Sequence, residues 1–94
     1  MNQTSYPPPL VFVDLETTGA NFANDRIIEI GLVEVDAEGM REWSTLVNPG
    51  IPIPPFISHL TGIDSQMVAS APRFDELAPL LQEKLKNRLF IAHN

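Results

Sequence analysis

The chain has 94 residues, with six Lys+Arg, twelve Asp+Glu, nine Pro, no Cys and a formal net charge of −6, which allows one domain at most and is small for a complete enzyme. A hydrophobic fraction of 44% excludes a disordered acidic tail, which combines low hydrophobicity with high charge, and the lack of cysteine excludes disulfides, thiolate metal sites and thiol nucleophiles. No apolar run approaches the roughly 18–20 residues that span a bilayer. The first residues lack the basic and apolar regions of a secretory signal, so a soluble, cytoplasmic protein with no membrane partner is expected.

The charge is unevenly placed. Residues 1–50 carry eight acids against Arg26 and Arg41, a net −6, and residues 51–94 carry four acids against four bases, a net zero. An acidic first half argues against a simple polyanion binder, whose affinity comes from Lys and Arg neutralising phosphates. Most of these acids alternate along strands or sit in turns, and a solvated face is their expected role. Asp14 and Glu16 do not fit that account.

Tyr6-Pro7-Pro8-Pro9 makes residues 1–9 a stiff, extended lead-in. Leu10 to Glu16 then forms an unbroken β-branched and aromatic run, apolar on both faces as a central strand covered on both sides would be. It acquires carboxylates only at its C-terminal end. Thr17 to Asn21 is a turn in which Gly19 can supply a positive φ. Arg26–Val35 reads as a second strand, Asp36–Gly39 as a hairpin turn and Arg41–Val47 as a third strand, with Trp43 a packing residue on its face.

Asn48 to Pro55 is a Pro-rich surface connection. Pro54 and Pro55 suit the first turn of a short helix over Phe56–Leu60, which Gly62 can end in a left-handed cap with Ile63 folding back. Asp64 can cap a second short helix, Ser65–Ala69. Pro72 opens a longer helix in which Phe74, Leu77, Ala78, Leu81 and Leu85 form one apolar face, and Pro79 should kink it. Leu89–Ala92 is a fourth strand, parallel to the first by the right-handed crossover rule. The expected class is α/β, a mixed sheet of three antiparallel strands plus a parallel fourth with flanking helices.

Asp14 and Glu16, two apart in a strand, leave the same face about 6–7 Å apart. At an effective dielectric near 20 their repulsion is on the order of 2 kcal/mol, an unusual burden at the end of an apolar strand. Divalent cations held by oxygen ligands would remove it, and the C-terminal ends of strands in α/β sheets are where ligands bind.

The run Asp14-Leu15-Glu16-Thr17-Thr18-Gly19 resembles the first motif of the DEDD (DnaQ-like) 3′–5′ exonuclease superfamily. Its five fixed residues would arise by chance in roughly one sequence in 30,000 of this length, so a coincidental match is a small risk. Arg26-Ile27-Ile28-Glu29-Ile30-Gly31, Val47-Asn48-Pro49, His59-Leu60-Thr61-Gly62-Ile63, Ala71-Pro72-Arg73-Phe74 and Ile91-Ala92-His93-Asn94 extend the likeness over residues 10–94. The match is nearest to the epsilon proofreading group of bacterial DNA polymerase III.

This resemblance implies a ribonuclease H-like fold, here truncated, with residues 10–94 as the N-terminal portion of the exonuclease domain. It implies that Asp14 and Glu16 are catalytic ligands of a two-metal Mg²⁺ or Mn²⁺ site, which activates water and stabilises the leaving 3′ oxygen. Leu15, Thr17, Thr18 and His59 would contact the substrate, and His93 and Asn94 would orient the loop that follows. The implied partner is the single-stranded 3′ end of DNA, and by family analogy a DNA polymerase core. The family's third metal Asp, expected four positions beyond Asn94, its general-base His and its fourth Asp are not in these 94 residues, and His59 and His93 do not occupy the general-base position. The segment alone is therefore expected to be inactive. An exoribonuclease of the same superfamily and a non-catalytic polymerase-docking module are the competing readings.

Overall fold

The computed structural model describes residues 8–21 and 23–93. Among them the elements are β1 (Leu10–Thr17), β2 (Ile27–Asp36), β3 (Gly39–Leu46), α1 (Pro55–Thr61), α2 (Ser65–Val68), α3 (Phe74–Leu85) and β4 (Leu89–His93). The strands form one sheet in the order β3-β2-β1-β4. β1 and β3 flank β2 antiparallel, and β4 lies parallel to β1, the mixed arrangement expected from the short connections and the right-handed crossover. Ala37-Glu38 is a two-residue turn between β2 and β3, and Gly39 closes it at φ 125°, a conformation that an L side chain resists. The Glu38 amide donates to Asp36 Oδ1 at 2.9 Å and completes the turn.

Two apolar clusters hold the layers together. Val11, Ile30, Leu32 and Val47 pack against Leu77 and Leu81 of α3, with Val13, Trp43 and Leu85 around them. Ile28 joins Ile53, Ile63 and Val68 in the second cluster, which seats the connection and the two short helices. Asp64 caps α2 by accepting from the Met67 amide at 2.9 Å. α3 buries a narrower stripe than its sequence suggests: Leu77 and Leu81 are buried, whereas Phe74 and Ala78 are exposed. One sheet face offers contact to a single line of residues at i, i+4 spacing, and Phe74, in the first turn, lies outside it. The helix runs unbroken through Pro79, which sits on its exposed side, where the Asp75 carbonyl that loses its usual amide partner can meet water.

β1 is internal to the sheet, and among the described residues only one of its faces is covered. Val11 and Val13 point toward α3, while Phe12, Asp14 and Glu16 occupy the opposite face by alternation. That face is open around Phe12, 39% exposed, and around Ile91, its register partner on β4. The apolar character of the run thus reflects hydrogen-bonded neighbours on both edges and one covered face.

The acids of the first half are not all solvated. Glu34 is only 8% exposed, because it lies on the β2 face that α3 covers. Lys84 Nζ of α3 stands 3.5 Å from Glu34 Oε2 and 5.1 Å from the Trp43 ring centroid. Arg88, at the entry to β4, places Nη2 at 3.3 Å from Glu34 Oε1 and 3.1 Å from Asp36 Oδ2, and donates to the Leu10 carbonyl at 3.4 Å. Arg41 pairs with the same Asp36 at 2.6 Å, and its guanidinium holds the Asp36 carboxyl well below the usual carboxylate range. The imbalance between the two halves is thus partly offset by pairing across them.

Replacing Arg88 with Ala leaves Glu34 buried with only Lys84 beside it. A loss of roughly 2–3 kcal/mol in urea unfolding is expected, a little below the range for a fully buried pair that loses one partner. Arg88→Lys, which keeps the charge but not the fork, should recover part of it.

Candidate active site

Asp14 lies beside Gly31 of β2 on one edge of β1 and beside His93 of β4 on the other. Asp14 is exposed and Glu16 half-buried. Glu16 is directly opposite Glu29 in the antiparallel pair, so the end of β1 sets like charges face to face, a destabilising arrangement in a sheet. Among the described residues no ion pair reaches either glutamate. No group of three or more His, Asp or Glu side chains able to hold a metal ion is present among them.

Immediately after Glu16 the register slips: Glu16 faces Glu29 but Thr17 faces Ile27, which leaves Ile28 as an extra residue on β2. Such a bulge bends the pairing and re-aims the side chains next to it. Thr17 Oγ1 donates to the Gly19 carbonyl at 2.6 Å. Thr18 is 3% exposed; its hydroxyl donates to Asp25 Oδ1 at 2.8 Å and accepts from the Arg26 amide at 2.9 Å. That hydroxyl is committed to the turn, whereas Thr17 stands at its outer side. Gly19 does not have the positive φ expected of it; the glycines with positive φ among the described residues are Gly39, Gly50 and Gly62. A Cβ on Gly19 would instead lie 2.6 Å from Asp25 Oδ2, so close approach is what requires the glycine.

The facing wall comes from α1. Pro55 begins the helix, and Gly62 ends it at φ 78° with its amide donating to the Ser58 carbonyl at 2.8 Å, the left-handed cap expected there. Thr61 Oγ1 donates to the Ile57 carbonyl and accepts from the Ile63 amide. None of the seven residues of α1 is buried, and Phe56 and Leu60 are 72% and 69% exposed. They face Leu15, Glu16, Thr17 and Gly19 across an open groove of about 500 Å³.

The structure thus gathers Leu15, Glu16, Thr17 and Thr18 at one groove, with Asp14 on the same strand face as Glu16. His59, exposed on α1, is not among the residues that line it. His93 is placed by backbone register beside Asp14, and Asn94 lies outside the described residues. Phe56 and Leu60 are the groove residues that motif reading passed over. Their signal is a pair of large apolar residues at i, i+4 on a helix too short to bury them.

A family model described as an exonuclease (RNase T) matches residues 11–94. A DNA polymerase III PolC-type of Caldanaerobacter subterraneus subsp. tengcongensis is 43% identical over 94 residues, which is 99% of this chain and 7% of that protein. A 3′–5′ exonuclease DinG of Staphylococcus haemolyticus is 40% identical over 95 residues, covering 100% of this chain and 10% of the relative. Among solved structures, an exonuclease X in complex with 5′-overhanging duplex DNA superposes with a TM-score of 0.74 at 30% identity, over 90% of this chain and 48% of that one. The chain therefore spans a small part of its curated relatives and about half of a solved one. Together with the mixed sheet and the Asp14–Glu16 motif at the end of β1, these matches place the chain in the DEDD (DnaQ-like) 3′–5′ exonuclease superfamily, as the N-terminal portion of the exonuclease domain.

Proposed function

We propose that the protein containing this segment is a metal-dependent 3′–5′ exonuclease that removes 5′ mononucleotides from the 3′ ends of DNA, acting in the cytoplasm as a proofreading or trimming enzyme. The observation that carries the reading is the Asp14–Glu16 pair on one strand face, with Glu16 lining an open groove of about 500 Å³. A relative named as a DNA polymerase supports proofreading beside a polymerase core, the role of the epsilon group. A relative named 3′–5′ exonuclease DinG supports trimming, and the solved exonuclease X is in complex with 5′-overhanging duplex DNA.

The donor set fits a hard divalent cation such as Mg²⁺ or Mn²⁺. Asp14 and Glu16 offer carboxylate oxygens, the ligands such ions prefer, and the Glu16–Glu29 opposition gives a cation something to neutralise. The set is partial, since two carboxylates leave other ligands to come from elsewhere in the protein. When bound, a metal pair supplies Lewis acidity at the scissile phosphate and lowers the pKa of bound water.

The chain's own residues have separate tasks in this reading. Hydrogen bonds on both edges of β1 hold Asp14 in place, and pairing with β2 holds Glu16. Phe56 and Leu60 on one side and Leu15 on the other present apolar surface between which a terminal base can stack, contacts that serve any base. The Thr17 hydroxyl, whose proton goes to the Gly19 carbonyl, has lone pairs left to accept from a sugar hydroxyl. His59, exposed on α1 and outside the groove lining, would meet the nucleotides that precede the terminal one.

Glu16→Gln in the full-length protein should lower mononucleotide release from a 5′-labelled single-stranded oligonucleotide by about a thousandfold or more, as expected when a transition-state electrostatic group is lost. Running matched DNA and RNA oligonucleotides side by side decides the sugar preference, and full activity of the glutamine variant would sink the proposal. The purified 94-residue segment should release no mononucleotide in Mg²⁺, because its carboxylates are only part of the set. Phe56→Ala and Leu60→Ala should leave unfolding free energy within about 0.5 kcal/mol, as exposed positions do, yet raise KM for the oligonucleotide about tenfold, in line with the stacking contribution of one base.

A further inference from the structure

The turn after Glu16 is organised by a residue to which the reading above gives no task. Asp25 Oδ1 accepts from the Thr18 hydroxyl at 2.8 Å, and Asp25 Oδ2 accepts from the Asn21 amide at 2.7 Å. The same carboxylate rests against the backbone of Gly19, where a Cβ would lie 2.6 Å from Oδ2 and 3.0 Å from Cγ. Thr18 then links to the start of β2 twice: its amide donates to the Arg26 carbonyl at 2.8 Å and its hydroxyl accepts from the Arg26 amide at 2.9 Å. One carboxylate therefore joins the two ends of the loop between β1 and β2, and both of its oxygens are used inside the turn.

Chemistry separates this group from Asp14 and Glu16. Those two sit on a strand fixed by sheet hydrogen bonds, which do not depend on the loop. Thr17 and Gly19 form the groove wall next to Glu16, and no sheet pairing extends beyond Thr17. Thr17 is still held by its pairing with Ile27, and beyond it the chain is held by Thr17 Oγ1 bonding the Gly19 carbonyl, by the Thr18–Arg26 backbone bond and by the Thr18 hydroxyl between Asp25 and Arg26. Hydrogen bonds to a charged acceptor are about twice as strong as neutral ones, and burial of Thr18 strengthens this one further.

We propose that Asp25 is a positioning residue for the 3′-terminal nucleotide: it fixes the Thr17–Gly19 wall relative to Glu16, so that its loss weakens the holding of the 3′ end while leaving the carboxylate pair on β1 intact. This rests on the exonuclease reading, and it gives threonine at 18 and glycine at 19 a physical task in this chain. Threonine supplies the buried hydroxyl, and glycine supplies the room for the carboxylate.

The test uses the full-length protein and two readouts. In Asp25→Ala, KM for a single-stranded DNA oligonucleotide should rise about tenfold or more, the factor expected for a lost charged hydrogen bond, with kcat changed less than about threefold. Mn²⁺ affinity by calorimetry should stay within about twofold, since the upstream ligands do not move. In the Glu16→Gln background, where cleavage is slowed about a thousandfold, fluorescence anisotropy should show oligonucleotide affinity weakened by the same factor on adding Asp25→Ala. Gly19→Ala should reproduce the defect, and Gly19→Ala with Asp25→Ala should be no worse than the weaker single variant, because removing the carboxylate makes room for the added methyl. Thr18→Val should behave like Asp25→Ala and Thr18→Ser should retain affinity, which keeps the test decisive if Asp25→Ala folds poorly. Unchanged affinity in Thr18→Val and Asp25→Ala, or a fall in Mn²⁺ binding and kcat with KM unmoved, overturns the proposal. Binding that depends on Asp25 in a protein that never cleaves would instead retain the positioning role and refute the exonuclease reading.

Discussion

The parallel seating of β4 against β1 is the constraint on which the rest of the structure depends, and Arg88 secures it. α3 must leave the sheet, turn and deliver β4 to the free edge of β1. Asn87 makes that turn at φ 60°, a left-handed conformation that asparagine tolerates better than most residues. The next residue, Arg88, meets Glu34 and Asp36 on β2 and the Leu10 carbonyl at the start of β1. A single guanidinium therefore joins both strands to the segment that must dock beside them. Its fork geometry permits this, where a lysine ammonium would serve one partner at a time.

With β4 in place β1 becomes an internal strand, and an internal strand is a rigid base for charged groups. Asp14 has a backbone neighbour on either side, and Glu16 is paired with β2. Charges this close cost free energy, and a flexible segment would relieve the repulsion by moving apart. The sheet prevents that, so the repulsion is retained, and in the proposed reading a bound cation would relieve it. The bulge at Ile28 and the turn around Asp25 then swing the chain from the strand into a wall facing α1. Exposed apolar residues on that helix give the groove a surface that water does not occupy favourably.

Much of this was legible in the linear sequence, for reasons that can be located. The alternation in β2, the Ala37-Glu38 turn, the Asp64 and Gly62 caps and the helical spacing of Leu77, Leu81 and Leu85 are local signals, and the elements formed where those signals lie. The Asp14-to-Gly19 motif was legible because it is contiguous. Glu34 was not, since a glutamate in an alternating strand reads as solvated, and only the arrival of α3 over that face makes it an interior charge. Gly19 was assigned a conformational role that belongs to Gly39 and Gly62, because a carboxylate six positions away that needs the space is invisible without the folded loop. Phe74 and Ala78 completed an apolar pattern on α3 that the sheet has room to bury only in part.

The sequence by itself determined the class of the sheet, the place of the carboxylate pair at the end of its central strand and the superfamily, because each depends on periodicity or on neighbouring residues. Tertiary structure alone decided which acids are paired, which face of β1 is open, that Phe56 and Leu60 rather than His59 line the groove, and that Asp25 holds its wall. Each of those outcomes depends on where a distant segment comes to rest. Ion pairing, burial and close approach act through space, and no local pattern in the chain carries their distances.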